Sequence, residues 1–362
     1  MKRALLGAAI LLVAIAAVAY WSTRPRAPQT AAPSGASSRP APRHVLLVTI
    51  DTLRADRLGS YGWTAARTPV LDALARRGTR FTRAYAIAPI TLTSHATILT
   101  GRYPPGHAAR HNGVPMQPDV PTLATRFKDA GFHTAAFVSA FPLDRRFGLN
   151  RAFDTYDDEL PRSADGRAQN ERAGRVTVDR AIAWIRERPA DTRLFAWVHL
   201  FEPHAPYGSI DSNGQHRRSA SERYDDEIAT VDREIGRLFE AWRAVDESLV
   251  LVTADHGEAF GEHDEIGHSI FVYDTTLQVP LIVAGAGAPA GMVADAPVSL
   301  ADIAPTIISR AQLPSLDADG IDLADVMRGV AAPERTLYAE SFAPLLDFGW
   351  APLRSIRRGP LK

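Results

Sequence analysis

Short runs of apolar residues alternate along the chain with segments in which apolar residues recur every three or four positions. The short runs are typical of buried β-strands, whereas the longer segments are typical of amphipathic helices. The predicted strands are Val45–Ile50, Thr134–Ser139, Leu194–Leu200, Leu249–Thr253 and Leu281–Val283. This alternation predicts an α/β fold, a three-layer sandwich in which helices cover both faces of a mostly parallel sheet.

One predicted helix, within the segment Thr91–Gly101, carries a candidate for chemistry. Thr93 or Ser94 is expected to provide its N-cap and Gly101 to end it. Thr91 then lies just before the N-terminus, where backbone N–H groups and the helix dipole favour an anion. A threonine hydroxyl bound to a divalent metal loses its proton readily and becomes a nucleophile. For this segment alone, the simpler interpretation is that Thr91 and Thr93 only cap the helix.

The first 43 residues differ from the rest of the chain. An uncharged apolar run, residues 4–21, follows Lys2 and Arg3 and predicts a signal peptide or a single membrane anchor. Residues 22–43 are rich in proline, alanine, serine and arginine and predict a flexible linker. The catalytic domain is then expected to span residues 44–362. We expect it to be exported to the periplasm or another extracytoplasmic space, with anchoring to the inner membrane as the alternative to cleavage.

Composition excludes several classes of function. The chain has 41 basic and 41 acidic residues, but residues 1–43 contain six bases and no acid, so the remainder is mildly acidic. A mildly acidic domain argues against a nucleic-acid binder that neutralises phosphates. The absence of cysteine excludes disulfides, thiolate metal sites and a cysteine nucleophile.

Metal-binding side chains follow three of the predicted strands. Asp51 follows the first, Asp255 and His256 follow another, and Glu202 and His204 follow a third. The carboxyl ends of parallel strands meet at one edge of a sheet, and buried carboxylates are costly unless they are paired or bind a metal. We therefore expect a divalent cation at this edge. Carboxylate and imidazole ligands without thiolate favour Zn²⁺ or Mn²⁺, and Ca²⁺ or Mg²⁺ fits the oxygen ligands.

With these residues in view, the chain resembles the sulfatase family of the alkaline phosphatase superfamily. The matching segments, in chain order, are Asp51–Asp56, Gly59–Gly62, Thr68–Ala75, Thr91–Gly101, Ala254–Glu258, Gly267–His268 and Val279–Ile282. The resemblance covers nearly all of residues 44–362. It implies an alkaline-phosphatase-like α/β fold and a metal-dependent hydrolase that acts on ester bonds.

The resemblance also implies a role for individual residues. Asp51, Asp255 and His256 match metal ligands, and Thr91 falls on the position of the nucleophile. The resemblance therefore favours a catalytic role for Thr91 over a role in helix capping alone.

Further positions match residues that surround the nucleophile in the family. His95 replaces the usual arginine four positions after the nucleophile. Asn112 matches an asparagine that helps to hold a nonbridging oxygen of the transferred group. His204 and His268 match substrate-binding positions, and in two-metal relatives comparable positions hold a second metal, with a carboxylate expected at Glu202.

Departures from the family pattern affect the expected chemistry. Sulfatases carry a cysteine or serine that is oxidised to formylglycine where this chain has Thr91, so no formylglycine is expected. Thr52 replaces a second acidic ligand, and His256 stands where many sulfatases have asparagine. These changes favour threonine-nucleophile relatives such as phosphodiesterases and phosphonate monoester hydrolases. Family members usually continue past the equivalent of Lys362, so the resemblance implies an incomplete C-terminal subdomain.

The sequence therefore predicts an exported, metal-dependent hydrolase in which Thr91 attacks a phosphate or sulfate ester, with the phosphoester favoured. A sulfuric ester hydrolase, an envelope phosphotransferase and an inactive binder of anionic glycans or lipids are the alternatives. The expected partner is a small-molecule, glycan or lipid ester, without nucleic acid and with membrane contact through residues 4–21. His199, inside a predicted strand, is expected to be a buried structural histidine.

Overall fold

The computed structural model describes residues 40–163, 169–208, 218–242, 247–359 and 361–362. The predicted signal peptide or anchor and almost all of the predicted linker lie outside these ranges. The chain divides into two units, Met1–Pro40 and Ala41–Lys362, and every element named below belongs to the second. Within the described ranges, no helix has the length and apolar character needed to cross a membrane.

The described part of the chain contains thirteen β-strands. They are β1 (His44–Ile50), β2 (Gly78–Tyr85), β3 (His133–Phe137), β4 (Thr155–Asp157), β5 (Leu194–Leu200), β6 (Ser248–Ala254), β7 (Ala259–Phe260), β8 (Ile266–Gly267), β9 (Gln278–Gly285), β10 (Met292–Ala294), β11 (Val298–Ser299), β12 (Leu337–Ser341) and β13 (Leu353–Arg357). All five predicted strands are present, with ends that differ from the prediction by a few residues.

Nine strands form the central sheet in the order β10–β2–β9–β6–β1–β5–β3–β4, with β11 beside β2. Strand β1 pairs in parallel with both β5 and β6, whereas β9 is antiparallel to β2 and β6. The predicted mostly parallel α/β sheet is therefore confirmed, with one antiparallel strand inside it. Strands β7 and β8, and strands β12 and β13, form two separate antiparallel pairs.

Ten α-helices are described around these strands. They are α1 (Pro69–Arg77), α2 (Thr91–Thr100), α3 (Pro104–His107), α4 (Leu123–Asp129), α5 (Gly174–Arg186), α6 (Ala220–Ala241), α7 (Asp274–Leu277), α8 (Ile303–Arg310), α9 (Ala324–Met327) and α10 (Ala343–Phe348). Helix α6 buries an apolar stripe that includes Ile228, Val231, Ile235 and Leu238. A stripe with this spacing faces the hydrophobic core and leaves the polar face of the helix to solvent.

The centre of the sheet positions the residues that follow its strands. Every residue of β1, β5 and β6 is buried. In the register of β1, Ile50 lies opposite Ala254 of β6 and opposite Leu200 of β5. The residues that come directly after these three strands therefore leave the sheet side by side, at the same edge.

Candidate active site

Asp51, Asp255 and His256 form a buried cluster at this edge of the sheet. Each residue offers one ligand atom, and these three atoms lie within 4.8 Å of one another. His256 Nε2 is 3.7 Å from Asp51 Oδ1 and 3.4 Å from Asp255 Oδ2. All three side chains are inaccessible to solvent. The structure thus brings together the three residues that were predicted as metal ligands.

The hydrogen bonds around this cluster leave lone pairs facing one another. His256 Nδ1 lies 3.1 Å from the carbonyl oxygen of Gly257, so the hydrogen of a neutral ring is assigned to Nδ1 and Nε2 presents a lone pair. Among the described residues, neither carboxylate oxygen of Asp51 nor Oδ2 of Asp255 accepts a hydrogen bond of ordinary geometry, and the nearest ring nitrogen of His199 is 3.4 Å from Asp51 Oδ2. Buried acceptors that converge without a donor are unfavourable unless a cation compensates them. The cluster therefore fits a divalent metal.

The electrostatics of the cluster agree with this fit. Burial raises the pKa of Asp255 well above its ordinary value, and the charge of Asp51 raises it further. Burial also opposes ionisation of Asp51, but the ring of His199, which faces this carboxylate, and the imidazole of His204 hold the pKa of Asp51 below its usual range. Burial lowers the pKa of His256 well below its ordinary value, so the ring is neutral, as a metal ligand must be.

The helix that carries the candidate nucleophile begins earlier than predicted. Helix α2 starts at Thr91, and Ile90 occupies the N-cap position. The prediction that Thr93 or Ser94 caps this helix is wrong, because both residues lie inside its first turn. The Ser94 hydroxyl instead donates to the carbonyl oxygen of Ala88 at 2.9 Å. Thr91 is consequently the first residue of the helix rather than the residue before it.

The cap comes from a distant part of the chain. The backbone N–H of Leu92 donates to Oδ1 of Asn112 at 3.0 Å. Because of this hydrogen bond, Asn112 lies at the N-terminus of α2, next to Thr91. Its side chain is half-buried. The Thr91 hydroxyl oxygen lies 3.5 Å from His256 Nε2. Two segments that were singled out separately in the sequence thus meet at the predicted metal ligands.

His95 lies beneath the first turn of the same helix. Its Nδ1 is 2.7 Å from the carbonyl oxygen of Thr91, an acceptor, so Nδ1 carries a hydrogen. Its Nε2 is 2.9 Å from Oγ1 of Thr49, which also accepts a hydrogen bond from Trp197 Nε1. Burial, together with the charge of His199, lowers the pKa of His95 to about 3, so the ring is neutral and the Thr49 hydroxyl donates to Nε2. Both ring nitrogens are engaged, and the side chain is inaccessible to solvent.

His268 packs against His256, and His204 packs against His268. The ring centre of His268 is 4.5 Å from that of His256 and 5.0 Å from that of His204. His268 Nδ1 lies 3.1 Å from Oε1 of Glu258, which is fully buried. Glu258 belongs to the segment Ala254–Glu258 that matches the family, but no individual role was predicted for it. The three imidazoles form one wall beside the predicted metal ligands.

His199 is buried, as expected, but it lies next to Asp51. Its Nε2 is 3.4 Å from Asp51 Oδ2, and its Nδ1 accepts a hydrogen bond from the backbone N–H of Ser139 at 3.3 Å. In the pairing of β1 with β5, His199 stands opposite Thr49, two residues before Asp51. This proximity depends on the pairing of two distant strands, which the local sequence pattern does not reveal.

Two other positions depart from the family pattern. Both carboxylate oxygens of Glu202 accept a hydrogen bond from the backbone N–H of Gly174 at 3.0 Å, so this carboxylate binds the first residue of α5. Within the described residues, Asp51, Asp255 and His256 form the one group that offers three such ligand atoms. The backbone N–H of Thr52 donates to Asp255 Oδ1 at 3.2 Å, and Thr52 has a left-handed φ of 55°.

Comparison with known proteins gives the family. A family model described as Sulfatase matches residues 43–313. The chain is 24% identical over 335 residues to the ulvan-active sulfatase of Formosa agariphila, a match that covers 80% of this chain and 66% of that protein. It is 24% identical to the choline-sulfatase of Rhizobium meliloti, covering 88% of this chain and 77% of that protein. The chain thus spans about two thirds of the length of the first relative.

A solved structure shows the same fold. The phosphonate monoester hydrolase of Agrobacterium radiobacter superposes with a TM-score of 0.72 at 22% identity, covering 87% of this chain and 85% of that structure. Together with the family model, this similarity confirms the resemblance to the sulfatase family and the predicted fold. The roles of the individual site residues stay predictions.

Proposed function

This chain belongs to the sulfatase family, a family of ester hydrolases, and we propose that it hydrolyses phosphate-type esters with Thr91 as the nucleophile. One observation carries this proposal. The Thr91 hydroxyl oxygen lies 3.5 Å from His256 Nε2, beside the unpartnered carboxylate oxygens of Asp51 and Asp255. An alcohol placed next to a set of metal ligands is the arrangement that nucleophilic attack on such an ester requires.

Asp51, Asp255 and His256 would hold a divalent cation, and its imidazole ligand favours Zn²⁺ or Mn²⁺. When bound, such a cation lowers the pKa of a neighbouring hydroxyl and polarises the ester. The cluster supplies two carboxylates and a neutral imidazole for this purpose.

Thr91 Oγ1 then attacks the phosphorus atom, and the bond between phosphorus and the leaving oxygen breaks. The leaving oxygen takes up the proton that the Thr91 hydroxyl loses and departs as the product alcohol. Water then attacks the same phosphorus atom, the bond to Thr91 Oγ1 breaks, and a proton from this water restores the hydroxyl. Because Thr91 lies in the first turn of α2, the transferred anion would lie at a helix N-terminus, where N–H groups and the helix dipole stabilise negative charge.

Side chains around Thr91 would stabilise the remaining charge. Asn112, which caps α2, would have its amide group beside the transferred group, and His204 and His268 stand next to the ring of His256. Burial disfavours the cationic form of His268, but the hydrogen bond and charge of Glu258 raise the pKa of His268 above its ordinary value. His268 is therefore suited to stabilise negative charge on the leaving oxygen of the substrate.

His95 acts on the nucleophile without reaching the substrate. Its ring nitrogens bind Thr91 and Thr49, and the ring is fully buried. We therefore assign His95, which replaces the usual arginine, as a positioning residue that holds the first turn of α2.

The nucleophile favours phosphorus over sulfur. Thr91 cannot be oxidised to formylglycine, and the chain has no cysteine that could replace it. Sulfuric ester hydrolysis is the second candidate, because both relatives named above are sulfatases. Export of the domain, by a signal peptide or anchor in residues 4–21, is part of the same proposal.

A side-by-side assay tests the proposal. The full chain is purified, its metals are measured by elemental analysis, and it is assayed on 4-nitrophenyl phosphate, bis(4-nitrophenyl) phosphate, a 4-nitrophenyl phosphonate and 4-nitrophenyl sulfate. We expect a bound divalent metal and faster turnover of a phosphorus ester than of the sulfate. Faster turnover of the sulfate would replace the proposal by its alternative, and equal activity of the Thr91→Ala variant would exclude Thr91 as the nucleophile.

A further inference from the structure

We propose that Tyr207 is a positioning residue for this reaction and that it acts through Glu258 on His268. The inference rests on the proposed function, in which His268 contacts the substrate. Tyr207 lies on the segment after β5 and matched no motif in the sequence.

Three side chains form a continuous chain of hydrogen bonds. The Tyr207 hydroxyl donates to Oε2 of Glu258 at 2.8 Å. The other oxygen of the same carboxylate, Oε1, lies 3.1 Å from His268 Nδ1. Each oxygen of Glu258 therefore has a donor of its own, and the carboxylate cannot rotate without losing both bonds.

These hydrogen bonds determine which ring nitrogen of His268 is available to the substrate. Because a carboxylate accepts, His268 Nδ1 carries the hydrogen and the ring is held with Nε2 on its opposite side. The ring itself packs 4.5 Å from His256, so it stands directly beside the predicted metal ligands. Nε2 is thus the nitrogen left for the substrate.

Tyr207 is suited to act as a permanent donor. It is 8% exposed, and its ring packs against those of Tyr224 and Phe260 at 5.7 and 5.8 Å. The guanidinium of Arg223 donates to its backbone carbonyl, which ties the segment to α6. Burial and the negative charge of Glu258 raise the pKa of Tyr207, so the hydroxyl keeps its proton.

Glu258 depends on this hydroxyl. The carboxylate is inaccessible to solvent, so water does not replace a lost donor at Oε2 without a rearrangement of the packing. Removal of the Tyr207 hydroxyl would therefore let the carboxylate turn and would release the ring of His268 from its orientation. A small displacement of a group that acts in the transition state lowers kcat more than it raises KM.

The test compares Tyr207→Phe with a matched control, Tyr338→Phe. The Tyr338 hydroxyl also donates to a buried carboxylate, that of Glu340, which has no contact with His268. Both variants are assayed on 4-nitrophenyl and phenyl esters of whichever acid the unchanged protein hydrolyses. We expect Tyr207→Phe to lower kcat for the phenyl ester about tenfold, with a smaller loss for the 4-nitrophenyl ester, whose leaving oxygen needs less stabilisation. Tyr338→Phe should show no such difference between the esters.

A double variant separates positioning from a general structural effect. In a His268→Ala background, Tyr207→Phe should cause no further loss, because the residue through which it acts is gone. An equal loss for both esters, no loss, or an added loss in the His268→Ala background would overturn the inference. If Tyr207→Phe does not fold, Glu258→Gln is measured in its place with the same expected pattern.

A readout without turnover separates failure of this inference from failure of the proposed function. The Nδ1 hydrogen of His268, followed by nuclear magnetic resonance in the full chain, should exchange with water several-fold faster in Tyr207→Phe than in the unchanged protein. Unchanged exchange would overturn the inference even if the enzyme is active. Faster exchange in a chain that hydrolyses none of the esters would support the hydrogen-bond chain and reject the proposed function instead.

Discussion

His95 Nδ1 donates a hydrogen bond of 2.7 Å to the carbonyl oxygen of Thr91, four residues earlier in the same helix. In an α-helix, a carbonyl oxygen normally accepts a hydrogen bond from the backbone N–H four residues later. A side-chain donor to the same oxygen therefore reinforces the first turn. The Thr49 hydroxyl holds the other side of the ring. A neutral imidazole thus holds the backbone of the candidate nucleophile in place.

Replacement of His95 by alanine should lower both stability and turnover. The change leaves a buried cavity and removes the partner of Thr49, and we expect a loss of about 3 kcal/mol in the free energy of unfolding. Urea unfolding measures this loss, and elemental analysis should show that the metal is retained. The control is His133→Ala, at an exposed position, which should change stability by less than about 0.5 kcal/mol. Equal stability of the two variants would contradict the positioning role.

Thr91→Ala should abolish turnover while the fold and the metal remain. Loss of a nucleophile lowers kcat by about 10³-fold or more, and Thr91→Ser, which keeps a hydroxyl, should retain part of the activity. The matched control is Thr93→Ala, because Thr93 lies in the same turn and its buried hydroxyl has no hydrogen-bond partner among the described residues. Comparable losses in Thr91→Ala and Thr93→Ala would show that the turn, rather than the Thr91 hydroxyl, matters.

Asp255→Asn should remove the metal and, in the metal-free protein, increase stability. Asp51 and Asp255 are buried together, so without a cation their negative charges repel, and an amide at position 255 removes that repulsion. We expect a gain of about 1–3 kcal/mol for the variant when both proteins are stripped of metal. Added metal should raise the melting temperature of the unchanged protein only. A variant that still binds one metal per chain would refute the assignment of Asp255 as a ligand.

The stability of the protein should fall below about pH 6.5, in part through His107. This histidine is buried, its Nδ1 accepts from the N–H of Ala109, and its Nε2 lies 2.9 Å from the Thr97 hydroxyl. Burial, together with the charges of Arg110 and Arg102, lowers its pKa from 6.5 to about 3. Between these values the unfolded chain binds a proton that the folded protein does not, so stability is lost as the pH falls.

His107→Gln provides the measurement for this effect. Between about pH 7.5 and pH 5, the unchanged protein should lose about 2 kcal/mol more of its unfolding free energy than the variant does. Urea unfolding at each pH gives both values, and other buried histidines contribute equally to the two proteins. Parallel dependence on pH would show that His107 does not contribute.

Much of the fold and part of the site could be predicted from the sequence because their signals are local. Apolar runs of strand length predicted β1 and β6, and the residues directly after them, Asp51 and Asp255, were recognised as ligand candidates. The chemistry of Thr91 follows from its residue type and from the helix that contains it. Such features depend on neighbouring residues, which hydrophobic periodicity and short motifs describe directly.

Other features of the site depend on packing between distant segments. Asn112 caps a helix twenty positions earlier in the chain, and this contact explains why the predicted cap at Thr93 or Ser94 was wrong. His199 lies beside Asp51 because two strands pair, and the carboxylate of Glu202 is held by a helix N-terminus.

The amino-acid sequence by itself determined the order of strands and helices, the family, and the types of side chain that are available for chemistry. Tertiary structure alone decided which of these side chains meet. The direction in which Glu258 faces, with Tyr207 on one oxygen and His268 on the other, is an example. The reason is physical: local propensity acts over a few residues, whereas the geometry of a buried polar group depends on every segment that supplies it with a hydrogen bond.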